Sequence, residues 1–278
     1  MDVIYQLLEI LPLDFLKYDF MKNAFLATLF IAPLFALLGT MAVNNKMAFF
    51  SDALGHSAFT GMALGVLLGV NNPVICLLAF GVFLSLVICK VKSYNLTSTD
   101  TIISVFSSTA MALGIVILSH NGSFAKYSTY LIGDILTIAP NEIWILCLIL
   151  FVAYIFWYYI YNQLLLLTIN TSLASSRGVK TILIENIFVV MVAVTVMISI
   201  KWIGILTINS LLILPAAAAR NISSNSKQYH IITTIFAYVS SVFGLILSYY
   251  LNTSSGATMV LTASVLFFIS FMTSRFKN

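Results

Sequence analysis

Nine apolar stretches follow one another along the chain, at about residues 23–43, 53–70, 73–89, 101–119, 141–162, 184–200, 202–218, 231–250 and 257–273. Each approaches the roughly 20 residues that a helix needs to cross the hydrocarbon core of a bilayer. Turn-forming polar breaks separate most of them, as at Asn71-Asn72-Pro73 and Asn252-Thr253-Ser254-Ser255-Gly256. Between 184–200 and 202–218 the break is only Ser199-Ile200-Lys201, so the count of spans is eight or nine. Of the 278 residues 61% are hydrophobic and 8% are charged, where a soluble domain carries about 25% charged residues. The mean hydropathy is +1.05. These features predict an all-α polytopic membrane protein.

Charges in the connections orient the stack. With nine spans, one side receives Lys46, Lys90, Lys92, Arg177, Lys180, Arg220, Lys227, Arg275 and Lys277, and the other Lys17, Lys22, Lys126 and Lys201. Positive charge on the cytoplasmic side then puts the N-terminus outside and the C-terminus in the cytoplasm. Residues 1–19 do not read as a signal peptide, since Asp2 and Glu9 stand where a basic region would, and Pro12, Asp14, Lys17 and Asp19 interrupt the apolar pattern. They read as an amphipathic or interfacial lead-in. The stretch Tyr130 to Leu136 (YLIGDIL) is too brief to span and reads as re-entrant or interfacial. The largest cytoplasmic loop is expected at about 163–183, with room for a short helix on the membrane surface.

Several chemistries are not supported. Gly178-Val179-Lys180-Thr181 lacks the upstream glycine of a phosphate-binding loop, so the chain is not expected to hydrolyse ATP itself. His56, His120 and His230 are far apart, and no HExxH or GxSxG occurs. Cys76, Cys89 and Cys147 are isolated, without a CxxC pair. The net charge of +4 comes without a basic patch carrying interleaved aromatics, which argues against nucleic acid as a partner.

One stretch stands out. FFSDALGHSAFTG, at 49–61, places Asp52 and His56 four residues apart on one helical face, and no further Lys, Arg, Asp or Glu follows until Lys90. Such a pair is expensive in a bilayer unless it faces protein, water or an ion. Two readings stay open. Asp52 caps the helix start while His56 bonds to a neighbouring span, or the two are transient ligands for a divalent metal such as Mn2+, Fe2+ or Zn2+. The small residues around them (Ser51, Ala53, Gly55, Ser57, Ala58 and Gly61) permit close packing or a narrow route. Asp134 is either a cation-attracting group at the external mouth or a solvated loop carboxylate. Asp100 opens a span as a cap or dipole partner. Asn209 and Ser210, before Pro215, either bond between helices or supply oxygen atoms along a path.

Four blocks together resemble the membrane permeases of bacterial ABC importers for manganese, zinc or iron(II), the ABC-3 family. They are MAFFSDALGHSAFTGMALG at 47–65, TDTIISVFSSTAMALGIVILS at 99–119, WIGILTINSLLILPAAAARNIS at 202–223 and SYYLNTSSGATMVL at 248–261. The resemblance implies an ABC importer permease of the metal/cobalamin-type architecture. It also implies a permease domain over 20–273, a cytoplasmic tail at 274–278, and location in the bacterial plasma (inner) membrane. The implied partners are a second copy of the permease, a cytoplasmic ABC ATPase dimer that uses the ATP, and an extracellular or periplasmic metal-binding protein. No cofactor is implied as stably bound, the divalent metal being cargo. Asp52 and His56 match the family's aspartate and histidine near the path. The ATPase-contacting helix falls around Thr171 to Gly178, where Ala174 and Gly178 keep the family's alanine and glycine. Three departures are visible: Ile169-Asn170-Thr171-Ser172 where the family has an acidic pair, Thr60 for a usual proline, and Asn252-Thr253-Ser254-Ser255-Gly256 for Asp-x-Pro-Ser-Gly. The alternative function is a secondary transporter of cations or small polar solutes that needs no ATPase.

Overall fold

The computed structural model describes residues 5–6, 14–70, 72–94, 97–120 and 133–275, and among these every regular element is helical. A 3-10 turn at Asp14–Lys17 leads into α1 (Asp19–Asn44). There follow α2 (Phe50–Leu67), α3 (Pro73–Ser93) and α4 (Thr99–His120). After a second 3-10 turn, Ile135–Thr137, come α5 (Pro140–Ile169), the short α6 (Thr171–Ser176) and α7 (Thr181–Ile203). The last three are α8 (Ile205–Ile222), α9 (Ser226–Leu251) and α10 (Ser255–Arg275). Lys126, Lys277, residues 130–132 and most of the N-terminal lead-in lie outside the described residues.

Eight of the long helices are apolar enough to cross a membrane. The exception is α2, which carries Asp52 and His56 but is enclosed by protein along most of its length. A helix shielded by its neighbours does not need a lipid-compatible surface. This is why all nine apolar stretches are helices although one of them is comparatively polar.

Two boundaries differ from the sequence expectation. The break before α8 is not Ser199-Ile200-Lys201, because α7 runs on to Ile203. The break is Gly204, at φ 78° and ψ 158°, a conformation open essentially to glycine alone. The exposed Lys201 stays helical because its long stem lets the charge reach polar surroundings. Gly133, also at positive φ, lies directly against this break; a Cβ there would fall on the backbone of Ile203 and Gly204. The second difference is the loop expected at about 163–183. Residues 163–169 belong to α5 and 181–183 to α7, so the connection is only 170–180. At 1.5 Å per residue the 30-residue α5 is about 45 Å long, against roughly 30 Å for a hydrocarbon core. Its surplus turns absorb the start of the expected loop.

The chain divides into two compact units. One comprises Met1–Thr40, Ile132–Ala153 and Trp202–Asn278. In it α8, α9 and α10 pack on one another. A Cβ on Gly39 would fall on the Leu212 carbonyl, and one on Gly244 would fall on Met259. Polar bonds fasten the same helices: Thr258 Oγ1 donates to the Gly244 carbonyl at 2.8 Å, and Asn221 Nδ2 to Ser270 Oγ at 3.1 Å. Lys17 pairs with Asp14 at 2.7 Å, and the buried Lys22 with Asp19 at 3.1 Å.

The other unit comprises Met41–Leu131 and Tyr154–Lys201. Here α2 packs against both α3 and α4. A Cβ on Gly61 would meet the backbone of Leu77, and one on Gly114 the backbone of Phe59 and Thr60. Thr60, the departure from the family's proline, donates its hydroxyl to the Ala110 carbonyl of α4. Small residues at such crossings let backbones approach, since lipid-embedded helices gain little from hydrophobic burial against each other. Gly114→Ala provides a test with an inverted sign. In an open helix the change stabilises by about 0.8–1.0 kcal/mol; here overpacking should cost about 1–3 kcal/mol. The thermal midpoint of the detergent-purified protein should fall, and a midpoint that rises would refute the close approach.

Candidate functional site

The turn into α2 passes through Lys46 at φ 56°. Phe49 occupies the N-cap position and makes no side-chain cap bond. Asp52 therefore lies in the first turn rather than at the N-cap position. Its Oδ1 stands 3.4 Å from His56 Nε2, with the histidine side chain 28% and the aspartate side chain 42% exposed. That separation is long for a strong hydrogen bond. It also equals the edge, about 3.4 Å, of a tetrahedron whose ligands lie about 2.1 Å from a central cation. His56 Nδ1 is buried without a hydrogen-bond partner among the described residues, and so is the Ser51 hydroxyl of the same helix. The expected bond from His56 to a neighbouring span is thus not seen at this nitrogen. Among the described residues no group of three or more His, Cys, Asp or Glu side chains gathers around a common point. The pair therefore offers two protein donors of unlike kind, one anionic and one neutral when unprotonated.

The other candidates are placed separately. Asp134 is exposed and caps the 3-10 turn that follows it, its Oδ1 accepting from Leu136 N–H at 3.0 Å. Ser98, not Asp100, caps α4, with its Oγ accepting from Thr101 N–H at 3.2 Å. Asp100 lies in the first turn, where the helix dipole favours a negative charge. Asn209 and Ser210 are half-buried neighbours on α8, and the Ser210 hydroxyl donates to the Leu206 carbonyl at 2.9 Å.

The 170–180 connection is closed at both ends by the sequence itself. Asn170 Oδ1 accepts from Ser172 and Leu173 N–H at 2.9 and 3.1 Å. At the other end Gly178 adopts φ 77° and donates to Ser175 O, while Val179 donates to Ala174 O. These two bonds and the left-handed glycine make a Schellman stop. Ala174 is fully buried, whereas Leu173 and Ser175 to Gly178 are exposed. The result is a short, rigidly terminated helix with one anchoring side chain and an outward face. Asn170 thus has a capping role at the place where the family's acidic pair is missing.

One constellation was not anticipated. Lys92 Nζ, in the last turn of α3, lies 2.5 Å from Glu185 Oε1 in the second turn of α7. The pair borders a cavity of about 410 Å³ whose walls include Asn45, Lys46, Thr168 and Thr171. The available signal was Glu185 itself, a lone carboxylate at the head of an apolar run and the last acidic residue in the chain.

Residues 17–274 match the model of the ABC 3 transport family. The chain is 32% identical over 242 residues to the high-affinity zinc uptake system membrane protein ZnuB of Buchnera aphidicola subsp. Baizongia pistaciae, covering 84% of this chain and 90% of that protein. It is 29% identical over 238 residues to the manganese import system permease protein ScaB of Streptococcus gordonii, covering 84% of each. In three dimensions it is similar to a chain of PsaBC from Streptococcus pneumoniae in complex with Fab. The TM-score is 0.79 at 26% identity, and the match covers 92% of both chains.

The Schellman stop yields its own test. A β-branched residue at φ 77° costs about 1–3 kcal/mol, although a Cβ at Gly178 would meet nothing. Gly178→Val should therefore speed amide exchange at positions 178 and 179 in hydrogen–deuterium exchange, while Gly178→Asn should do so less. Equal protection in all three proteins would contradict the geometry.

Proposed function

This chain belongs to the ABC 3 transport family, and from that premise we propose that it is the permease subunit of an ATP-driven importer of divalent transition metal ions. The observation that carries the reading is the match along nearly the whole chain to relatives named for zinc uptake and manganese import. A secondary transporter working without an ATPase has no support from those names.

Asp52 and His56 are the proposed transient ligands of the path. The carboxylate contributes negative charge that offsets part of the cost of stripping water from a divalent cation. The imidazole contributes a nitrogen ligand suited to zinc and manganese alike. Two protein donors per chain bind weakly enough to release the ion onward, as transport requires. The exposed carboxylate of Asp134 is the proposed cation-attracting group at the external mouth, and Asn209 and Ser210 are proposed oxygen donors along the path.

Because the chain shows no phosphate-binding loop, the energy is proposed to come from a separate cytoplasmic ATPase pair. The α6 helix, with Ala174 buried beneath it and Gly178 ending it, is the proposed contact. An external metal-binding protein would deliver the ion, and a second permease copy would close the path from lipid. The proposed orientation, supported by the basic connections, has the N-terminus outside and α6 and the C-terminus on the cytoplasmic side of the plasma membrane.

Two measurements test this reading. The mass of the purified complex should correspond to two copies of this chain with two ATPase subunits; an active complex with one permease copy would rule out the dimer. In proteoliposomes carrying the complex, Asp52→Asn should lower ATP-driven uptake of both radiolabelled manganese and zinc by about tenfold or more, the loss equivalent to roughly 1.4 kcal/mol. His56→Ala should depress zinc uptake more than manganese uptake. If both variants assemble and carry each metal at the unmodified rate, the pair is not in the path.

A further inference from the structure

The Lys92–Glu185 contact differs from the other ion pairs described above. Lys17–Asp14, Lys22–Asp19 and His56–Asp52 each join residues three or four positions apart. Lys92 and Glu185 are 93 positions apart and join the end of one long helix to the head of another. Their side chains are 23% and 28% exposed, so solvent screens the contact only in part. Lys92 also stands in the last turn of α3, where the helix dipole favours a positive charge.

The surroundings give the pair a mechanical position. Glu185 is held in α7, the first long helix after the Gly178 stop of α6. Further along the same two helices, Gly81 of α3 lies against the Met197 side chain of α7, where a Cβ would collide with it. One turn earlier α3 approaches α2 at backbone level, through Gly61 against Leu77. The cavity of about 410 Å³ is lined both by Thr171 of α6 and by Asn45 and Lys46, before α2. Both members of the ion pair line the same cavity. A displacement of α6 then has a continuous route to α2 along rigid elements: α7, the Lys92–Glu185 contact, and α3.

We propose that the Lys92–Glu185 pair positions α3 on α7 so that movement of α6 imposed by the ATPase reaches α2 and its Asp52–His56 pair. The inference rests on the permease reading given above and assigns the two residues a positioning role, with no contact to the metal.

The test measures radiolabelled manganese uptake and ATP hydrolysis in the same proteoliposomes, using the whole complex with its ATPase. Lys92→Glu and Glu185→Lys should each lower the manganese moved per ATP by about fivefold or more, the lower end of ordinary coupling between sites. The double reversal should restore the ratio to within about twofold, because it recreates the contact with its charges exchanged. Should a single reversal fail to assemble, Lys92→Gln and Glu185→Gln remove the attraction without creating like charges, and they carry the same expectation. A purely structural role would lower yield, uptake and hydrolysis together and leave the ratio unchanged. An unchanged ratio in the single variants, or a lowered ratio that the double reversal does not restore, overturns the proposal while the permease reading stands. An unmodified complex that moves no divalent metal overturns that reading and this one with it.

Discussion

Backbone amides in hydrocarbon have no water to bond, so a chain that enters a bilayer must satisfy them within itself. Helices do so, and this one requirement makes the long elements helical before any side chain is considered. It also removes most of the hydrophobic drive that would press helices together, because lipid is as apolar as leucine. Cohesion here comes from close approach and polar fastening instead. Gly61, Gly114, Gly39 and Gly244 lie where a methyl group would strike a neighbouring helix. Thr60 and Thr258 each donate a hydroxyl to a carbonyl of the adjoining helix.

Enclosure is what makes the Asp52–His56 pair tolerable. On a lipid-facing helix the two side chains would be costly. On α2, which has α3 and α4 packed against it, they need only find protein or a polar guest. The comparatively low hydropathy of α2 and its small residues are two sides of one arrangement. Small side chains admit the neighbours, and the neighbours replace the lipid.

Much of this was legible in the sequence. All nine apolar stretches are helical, and the i, i+4 spacing of Asp52 and His56 predicts their shared face. The short helix between Asn170 and Gly178 was readable as a capacity of the loop. Other features were not readable, for identifiable reasons. Gly204 hides in an apolar run because a one-residue backbone excursion leaves no mark on hydropathy, whereas Lys201 looks like a break and is not one. Lys92 and Glu185 meet across 93 positions, and nothing local to either residue announces the other. Thr60 looks like a loss against the family's proline. Its hydroxyl bond becomes visible only when α4 is in place.

The single-residue connection at Gly204 bears on how the chain would be mapped in a cell. Between Thr181 and Ile222 nothing but that glycine leaves the helical state, so there is scarcely any exposed loop for a protease or labelling reagent to reach. A reporter inserted there would have to break the glycine's own geometry. A map built from accessible loops would then merge two crossings into one and assign every later loop to the wrong face of the membrane. With the orientation proposed above, Arg220, Lys227 and Arg275 are the built-in check, since such a map would place all three outside the cell.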